Sequence, residues 1–231
     1  MALPLKKGTQ IALPKHVVNT VKQLSVAADG RRPVLVAAAV TALTWSVPPL
    51  RLLGAVSTGA LAAFYRNPVR VTPREPGAII APADGQICAV DEARPPLEAN
   101  LGDALMRRVA IYLSLTDVHV QRSPLRAKVV SVTHTSGEFT NAKDDAAADR
   151  NERTVTVLDA GGARIVVVQI AGLVARRIVN DARPGTTIKA GEVFGMIRLG
   201  SRVEIFFPTT AKVAVLEGQR AVGGETILAR L

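Results

Sequence analysis

Two long apolar runs separated by a proline pair dominate the first third of the chain. Residues 33–47 read PVLVAAAVTALTWSV and residues 50–65 read LRLLGAVSTGALAAFY, with Pro48 and Pro49 between them. Each run looks helical, but each is shorter than the roughly 20 residues that cross a bilayer, and proline interrupts a helix. The pattern predicts a helical hairpin that dips into one leaflet of a membrane. Packing of both helices on the rest of the protein is the alternative.

From Pro68 onward the pattern changes to short β-like runs separated by Gly, Pro, Asn and Asp. Many short strands with turn sequences between them predict antiparallel pairing rather than βαβ units. The polar residues 139–153 predict a surface helix or a mobile loop. We expect an α+β fold, in which residues 1–67 form a basic and apolar helical region and residues 68–231 form a mainly antiparallel β domain. The clearest predicted strands lie at 78–81, 108–113, 128–132, 154–158, 164–170 and 203–207.

The net charge of +10 is concentrated beside the apolar runs. Up to Arg74 the chain has ten basic residues and one acidic residue, whereas the remainder has nineteen basic and eighteen acidic residues. Each basic residue near an anionic lipid surface contributes about 1 kcal/mol of attraction. With aromatic residues at only 3%, a base-stacking surface for nucleic acid is not expected. The charge predicts an anionic membrane surface as partner, with the protein peripheral or monotopic on the cytoplasmic side of the cell membrane.

Few residues carry candidate chemistry. His119 follows a predicted strand, a position from which a side chain can face a cleft, although a histidine with a purely structural role fits the same pattern. Asp84 lies in Ala-Pro-Ala-Asp-Gly, where it either forms a turn or orients a histidine. Gly200-Ser201 interrupts an apolar run between two predicted strands. The single cysteine, Cys88, has no partner for a disulfide or a metal site.

Several segments in order along the chain resemble the short-form phosphatidylserine decarboxylases, a family of pyruvoyl-dependent enzymes. Matches spread in order over about 140 residues are more specific than any one motif. They are Phe64-Tyr65-Arg66-Asn67-Pro68, Ala81-Pro82-Ala83-Asp84-Gly85, Asp117-Val118-His119-Val120-Gln121-Arg122, Asn151-Glu152-Arg153, the residues 169–177 (QIAGLVARR) and the residues 194–202 (FGMIRLGSR).

The resemblance implies a proenzyme that cuts its own chain between Gly200 and Ser201, into pieces 1–200 and 201–231. Ser201, deprotonated by His119 with Asp84 orienting the imidazole, would attack the Gly200 carbonyl and end as a pyruvoyl group, the covalent cofactor. That group would form a Schiff base with phosphatidylserine and release CO2, giving phosphatidylethanolamine. No metal is implied, and a homo-oligomer is left open.

The sequence departs from the family's longer members at one informative position. Many of them carry a second histidine three residues after the first, where this chain has Arg122. Either His119 serves both self-cleavage and decarboxylation, or another residue such as His134 contributes. Arg176 or Arg177 could hold the substrate's carboxylate or phosphate, because a guanidinium group suits both.

Three other functions remain open from the residues. The same chemistry could act on another serine-bearing lipid, for example one of the archaeal ether type. The chain could instead be a non-catalytic, membrane-tethered β domain in which Ser201 stays in an intact chain. A pyridoxal-dependent decarboxylase is the least supported, because the few lysines lie in turns or near the N-terminus.

Overall fold

The computed structural model describes residues 25–141, 147–173, 177–198 and 200–231. The helices are α1 (Ala28–Leu43), α2 (Pro48–Phe64) and α3 (Ala147–Arg150), with a 3-10 turn at Leu97–Ala99. The strands are β1 (Ala78–Ile80), β2 (Gly85–Ala93), β3 (Met106–Leu113), β4 (Val120–Arg122), β5 (Ala127–Thr135), β6 (Arg153–Ala160), β7 (Ala163–Ile170), β8 (Ile178–Asn180), β9 (Thr187–Ile188), β10 (Val193–Ile197), β11 (Ser201–Phe207), β12 (Lys212–Val213), β13 (Arg220–Ala221) and β14 (Ile227–Arg230).

Helices α1 and α2 form the predicted hairpin. Their boundaries differ from the prediction because Pro48 and Pro49 open α2 instead of lying in the break. Backbone N–H groups in the first turn of a helix have no acceptor within it, so proline costs no hydrogen bond there. The helices approach closely at Thr41, whose hydroxyl lies 3.1 Å from that of Thr58.

Most of the hairpin's apolar surface faces solvent. The exposed side chains include Leu35, Val36, Val40, Leu43, Trp45, Leu50, Leu52, Leu53 and Val56. Among the described residues, the base of the hairpin packs on the β domain, where Tyr65 and Ala27 join Val118, Val120 and Met196 in a small buried cluster. In the part of the chain that the structure describes, no helix is long and apolar enough to cross a membrane.

The remainder of the described chain is an antiparallel β structure, which confirms the predicted α+β class. Within the described ranges the strands form three sheets, with orders β1-β14-β12, β4-β10-β8 and β13-β2-β3-β11-β7-β6-β5-β9. Strand β11 is central, since it pairs with β3 on one side and β7 on the other. The residues that follow the predicted cleavage site are therefore built into the middle of the largest sheet.

Side chains alternate across β11 between two buried faces. Val203, Ile205 and Phe207 enter the main core, while Phe206 packs in a second cluster on the opposite face. This alternation follows from the two-residue period of a strand. Because both faces are covered, every residue of β11 is buried, and its position is held firmly.

The polar segment 139–153 is partly helical, through the short helix α3. Residues 142–146 lie outside the described part of the chain. Asn151 is fully buried at the end of the segment, and its amide donates to the carbonyls of Thr140 and Ala171 at 2.9 and 2.7 Å. The second half of the segment is thus anchored to the β domain.

Candidate active site

Gly200 and Ser201 lie at the entrance to β11. Gly200 has a φ of +69°, a left-handed conformation that favours glycine, and Ser201 is the first residue of the strand, opposite Leu113 of β3. The Ser201 side chain is fully buried, and its Oγ has no hydrogen-bond partner among the described residues. A buried hydroxyl without a partner is costly, which makes Ser201 a candidate for chemistry.

His119 contacts this segment directly. The Gly200 N–H donates to His119 Nε2 at 3.3 Å, and His119 Nδ1 lies 2.9 Å from the carbonyl oxygen of Asp117. A carbonyl only accepts, so Nδ1 carries the proton and Nε2 is the free base. The neutral imidazole therefore presents its basic nitrogen to the residue that precedes Ser201.

The surroundings of His119 favour this neutral form. Burial lowers the pKa of His119 below its ordinary value of 6.5; the hydrogen bond to Asp117 and the Asp117 charge act in the opposite direction, and the Arg66 charge lowers it further. The net shift is downward because a buried imidazolium loses its hydration. His119 can thus act as a base at neutral pH.

The Asp117 carboxylate is held by Ser114, three residues before it, and by Arg220, far along the chain. The carboxylate accepts from the Ser114 N–H at 2.8 Å and the Ser114 hydroxyl at 2.7 Å, and it also pairs with Arg220 of β13. Burial alone would raise the pKa of Asp117, but the bonds from Ser114 and Arg220 outweigh it and lower the pKa. This anchored loop places the carbonyl that orients His119.

Asp84 is held in the same region by other groups. Its carboxylate accepts from Arg70 at 2.7 Å and from the Gly223 N–H at 2.8 Å. Burial raises the pKa of Asp84, and Arg70 and Gly223 offset part of that shift. The predicted contact with the imidazole is not among the described hydrogen bonds, because both carboxylate oxygens have these partners and the Asp117 carbonyl occupies Nδ1.

Comparison with known proteins identifies the family. A family model described as "Phosphatidylserine decarboxylase" matches residues 58–229. The chain is 49% identical over 183 residues to the phosphatidylserine decarboxylase proenzyme of Mycobacterium avium (strain 104), covering 79% of this chain and 76% of that protein. It is 45% identical over 219 residues to the proenzyme of the same name from Mycobacterium bovis (strain BCG / Pasteur 1173P2), covering 94% and 95%. The chain belongs to the phosphatidylserine decarboxylase family. The predicted family is confirmed, and with it the enzyme class.

Arg122 and His134, the two residues considered for the role of a second histidine, have no described contact with Ser201 or His119. Arg122, at the position of the second histidine in longer family members, donates to the carbonyls of Gly191 and Pro68 and to Asn67 Oδ1, so it ties strand β4 to the base of the hairpin. His134 lies on β5, 3.0 Å from the Thr154 hydroxyl, and no described contact joins it to Ser201.

The structure describes the two arginines predicted to hold the substrate less fully. Arg177 is exposed, and its carbonyl accepts from the N–H of Arg198 at 3.3 Å. Arg176 lies outside the described residues. In the described ranges no group of three or more His, Cys, Asp or Glu side chains could hold a metal ion.

One further residue beside the candidate site was missed in the analysis of the sequence. Phe64, the last residue of α2, packs its ring on His119 with centroids 4.5 Å apart and planes at 42°. Arg202, directly after Ser201, instead lies on the opposite face of β11, where it is almost fully buried and pairs with Glu204 at 2.8 Å. Phe64 was part of a recognised motif, but nothing in the motif indicates which residue its ring touches.

Proposed function

We propose that this chain is a proenzyme that cuts itself between Gly200 and Ser201 and then decarboxylates phosphatidylserine to phosphatidylethanolamine. Family membership supports the overall reaction. The observation that carries the assignment of residues is the contact of His119 Nε2 with Gly200, beside a buried Ser201 hydroxyl that has no partner among the described residues.

Self-cleavage follows from these groups. His119 Nε2 removes the proton from Ser201 Oγ, which attacks the Gly200 carbonyl carbon and converts the peptide bond to an ester. Elimination then releases the Gly200 carboxylate and leaves dehydroalanine at position 201. Addition of water and loss of ammonia convert the dehydroalanine to an N-terminal pyruvoyl group. Glycine leaves the attacked carbonyl uncrowded, and its left-handed φ suits the bend before β11.

The residues present fit a pyruvoyl group at position 201. The position is buried, begins a strand held on both sides, and lies beside a histidine that can hold a proton at Nε2. When present, a pyruvoyl group supplies a carbonyl that accepts the electrons released as CO2 leaves. His119 is proposed as the group that returns a proton to the substrate carbon.

The two pieces of the cleaved chain should stay together. The small piece, 201–231, contributes β11 to the centre of the large sheet, β13 beside β2, and β14 between β1 and β12. It also holds the carboxylates of Asp84 and Asp117 through Gly223 and Arg220. Separation would break all of these pairings, so the site is shared between both pieces.

Asp84 is proposed as the third member of the site. Its carboxylate is half-buried and lies close enough to Asp117 for the two charges to interact. In this role it acts on His119 through the loop that carries Asp117. Asp84→Asn should slow self-cleavage, whereas replacement of the exposed Asp103 by Asn should not.

The lipid substrate is proposed to reach the site from a membrane that the hairpin contacts. The hairpin exposes leucine, valine and tryptophan side chains, and the chain up to Arg74 has an excess of nine positive charges. An apolar face together with basic residues suits an anionic lipid surface. This arrangement supports a peripheral or monotopic location on the cytoplasmic side of the cell membrane.

Intact-mass spectrometry tests the proposed cleavage. The purified protein should appear as pieces 1–200 and 201–231, and Ser201→Ala should remain one chain. Ser136→Ala, at an exposed serine, is the matched control and should cleave normally. A wild-type chain that stays whole after long incubation would contradict the proposal.

Release of labelled CO2 tests the substrate. The wild-type protein should release it from vesicles with carboxyl-labelled phosphatidylserine, and Ser201→Ala should not. Faster release from an ether-linked, serine-bearing lipid would instead favour the related lipid as substrate.

A further inference from the structure

The end of helix α2 closes one side of the catalytic histidine. His119 has both ring nitrogens occupied, by Asp117 and Gly200. The face of the His119 ring packs against the Phe64 ring, with ring centroids 4.5 Å apart. A strand-end histidine with both nitrogens bonded can still tilt about the line between them, and a ring packed on its face prevents that tilt.

Phe64 is itself held in place by its neighbours. Its ring meets Tyr65 edge to face, with centroids 5.0 Å apart. The Tyr65 carbonyl accepts from Ala27 at 2.8 Å, and Arg66 donates to the Thr116 carbonyl at 2.6 Å. The helix end is therefore tied to the opening of α1 and to the loop that carries His119.

We propose that Phe64 is a positioning residue for His119, through which the membrane-facing hairpin sets the orientation of the base that starts self-cleavage. This inference rests on the proposed function of His119. It assigns the hairpin a part in the reaction beyond holding the protein on lipid.

The packing also determines how strongly His119 is shielded from water. Asp117 and Arg66 are the charged groups that act on the imidazole, with opposite effects on its pKa. Loss of the Phe64 ring leaves both charges in place and admits water to the ring face. The pKa of His119 should then rise towards its ordinary value, because water stabilises the charged form.

The first test measures His119 without relying on cleavage. In an uncut Ser201→Ala chain, the titration of His119 is followed by NMR and assigned by difference from His119→Gln, since the sequence has three histidines. Phe64→Ala and Phe64→Leu should move the His119 titration to higher pH, and Phe64→Tyr should leave it in place.

The matched control is Leu61→Ala. Leu61 lies on the same helix and packs in the same small cluster, so its truncation removes a comparable apolar side chain without touching His119. The Leu61→Ala variant should leave the titration of His119 unchanged. A titration that does not move in Phe64→Leu, or that moves equally in Leu61→Ala, would overturn the proposal even if the wild-type protein cleaves normally.

The second test follows self-cleavage in the chain with Ser201 intact. Phe64→Leu should slow it by as much as about a hundredfold, the cost of a misplaced catalytic group, and the acid side of the pH–rate profile should move to higher pH. Phe64→Tyr should restore the rate to within about threefold of wild type, because the ring is retained. Equal slowing by Phe64→Leu and Leu61→Ala, with no change in pH dependence, would show a general packing role and contradict the proposal.

Discussion

The helical hairpin and the β domain use the same apolar residue types in opposite ways. In the hairpin, Leu43 and Leu52 are 85% and 69% exposed, whereas Val109, Val167 and Val203 of the β domain are fully buried. Apolar side chains leave water wherever a partner exists. In the β domain the partners are apolar side chains of other strands in the same core, whereas the hairpin's outer surface has none among the described residues. An apolar run in the sequence can therefore form a buried core or an exposed surface.

The two regions meet at His119. Val118 and Val120, on either side of His119, pack with Tyr65 and Ala27 at the hairpin's base. The site is thus built by the β domain and closed by the end of the hairpin. The following changes separate the contributions of the two regions.

The largest effect on self-cleavage is expected from replacing His119, where the hairpin and the β domain meet. His119→Ala removes the base that contacts Gly200, and self-cleavage should slow by about 10²- to 10⁴-fold, the usual contribution of a general base. His134→Ala is the control, because His134 lies in the β domain on strand β5. Both are followed by intact mass over time. Normal cleavage in His119→Ala, with slow cleavage in His134→Ala, would transfer the role to His134.

Stability should depend on the β domain far more than on the hairpin. Ile205→Ala in the core of β11 should lower the free energy of unfolding by about 2–5 kcal/mol. Leu52→Ala, on the exposed hairpin surface, should change it by less than about 0.5 kcal/mol. Urea unfolding of the uncut Ser201→Ala chain measures both. Equal losses would mean that the outer face of the hairpin is covered by protein.

Membrane binding should depend on the hairpin far more than on the β domain. Leu43→Ser on the hairpin should weaken binding to vesicles that contain phosphatidylserine by about tenfold, since burial of one leucine contributes about 1.5–3 kcal/mol. Leu97→Ser is the matched control, because Leu97 is 91% exposed but lies on the β domain. Sedimentation with vesicles compares the two. Unchanged binding in Leu43→Ser would remove this part of the hairpin from the lipid contact.

The smallest expected effect is a shift in pH dependence. Because burial lowers the pKa of His119, its base form persists below pH 6.5, and self-cleavage should decline only at a lower pH. Arg66→Gln removes a charge that lowers this pKa, so the decline should move to higher pH. Cleavage rates over a pH series measure both. A decline that begins above pH 6.5 in the wild-type protein would contradict a buried, neutral His119.

Much of the fold was predictable because it depends on local patterns. The predicted strands 108–113 and 203–207 fall within β3 and β11, since alternating β-branched residues bounded by turns favour strands. The helical runs were also found, although the proline pair was placed between the helices instead of in the first turn of α2. That detail depends on where the helix begins, which the apolar pattern does not specify.

The candidate site was predictable only in part. His119 and Ser201 were found through matching motifs, and the structure joins His119 to Gly200 directly. The expected partner of the imidazole was the Asp84 carboxylate, whereas the structure has the carbonyl of Asp117 there. A backbone carbonyl is present at every residue, so no sequence pattern marks the one that orients a histidine.

The sequence by itself determined the family and most of the strand and helix segments, and it named the residues proposed to react, because these depend on composition and order along the chain. Only the tertiary structure decided which groups meet. Arg220 reaches Asp117 across 103 residues, and Gly223 reaches Asp84 across 139. The ring of Phe64 covers His119 because the hairpin folds back onto strand β4. Such contacts arise when distant segments bury surface together, which local patterns do not encode.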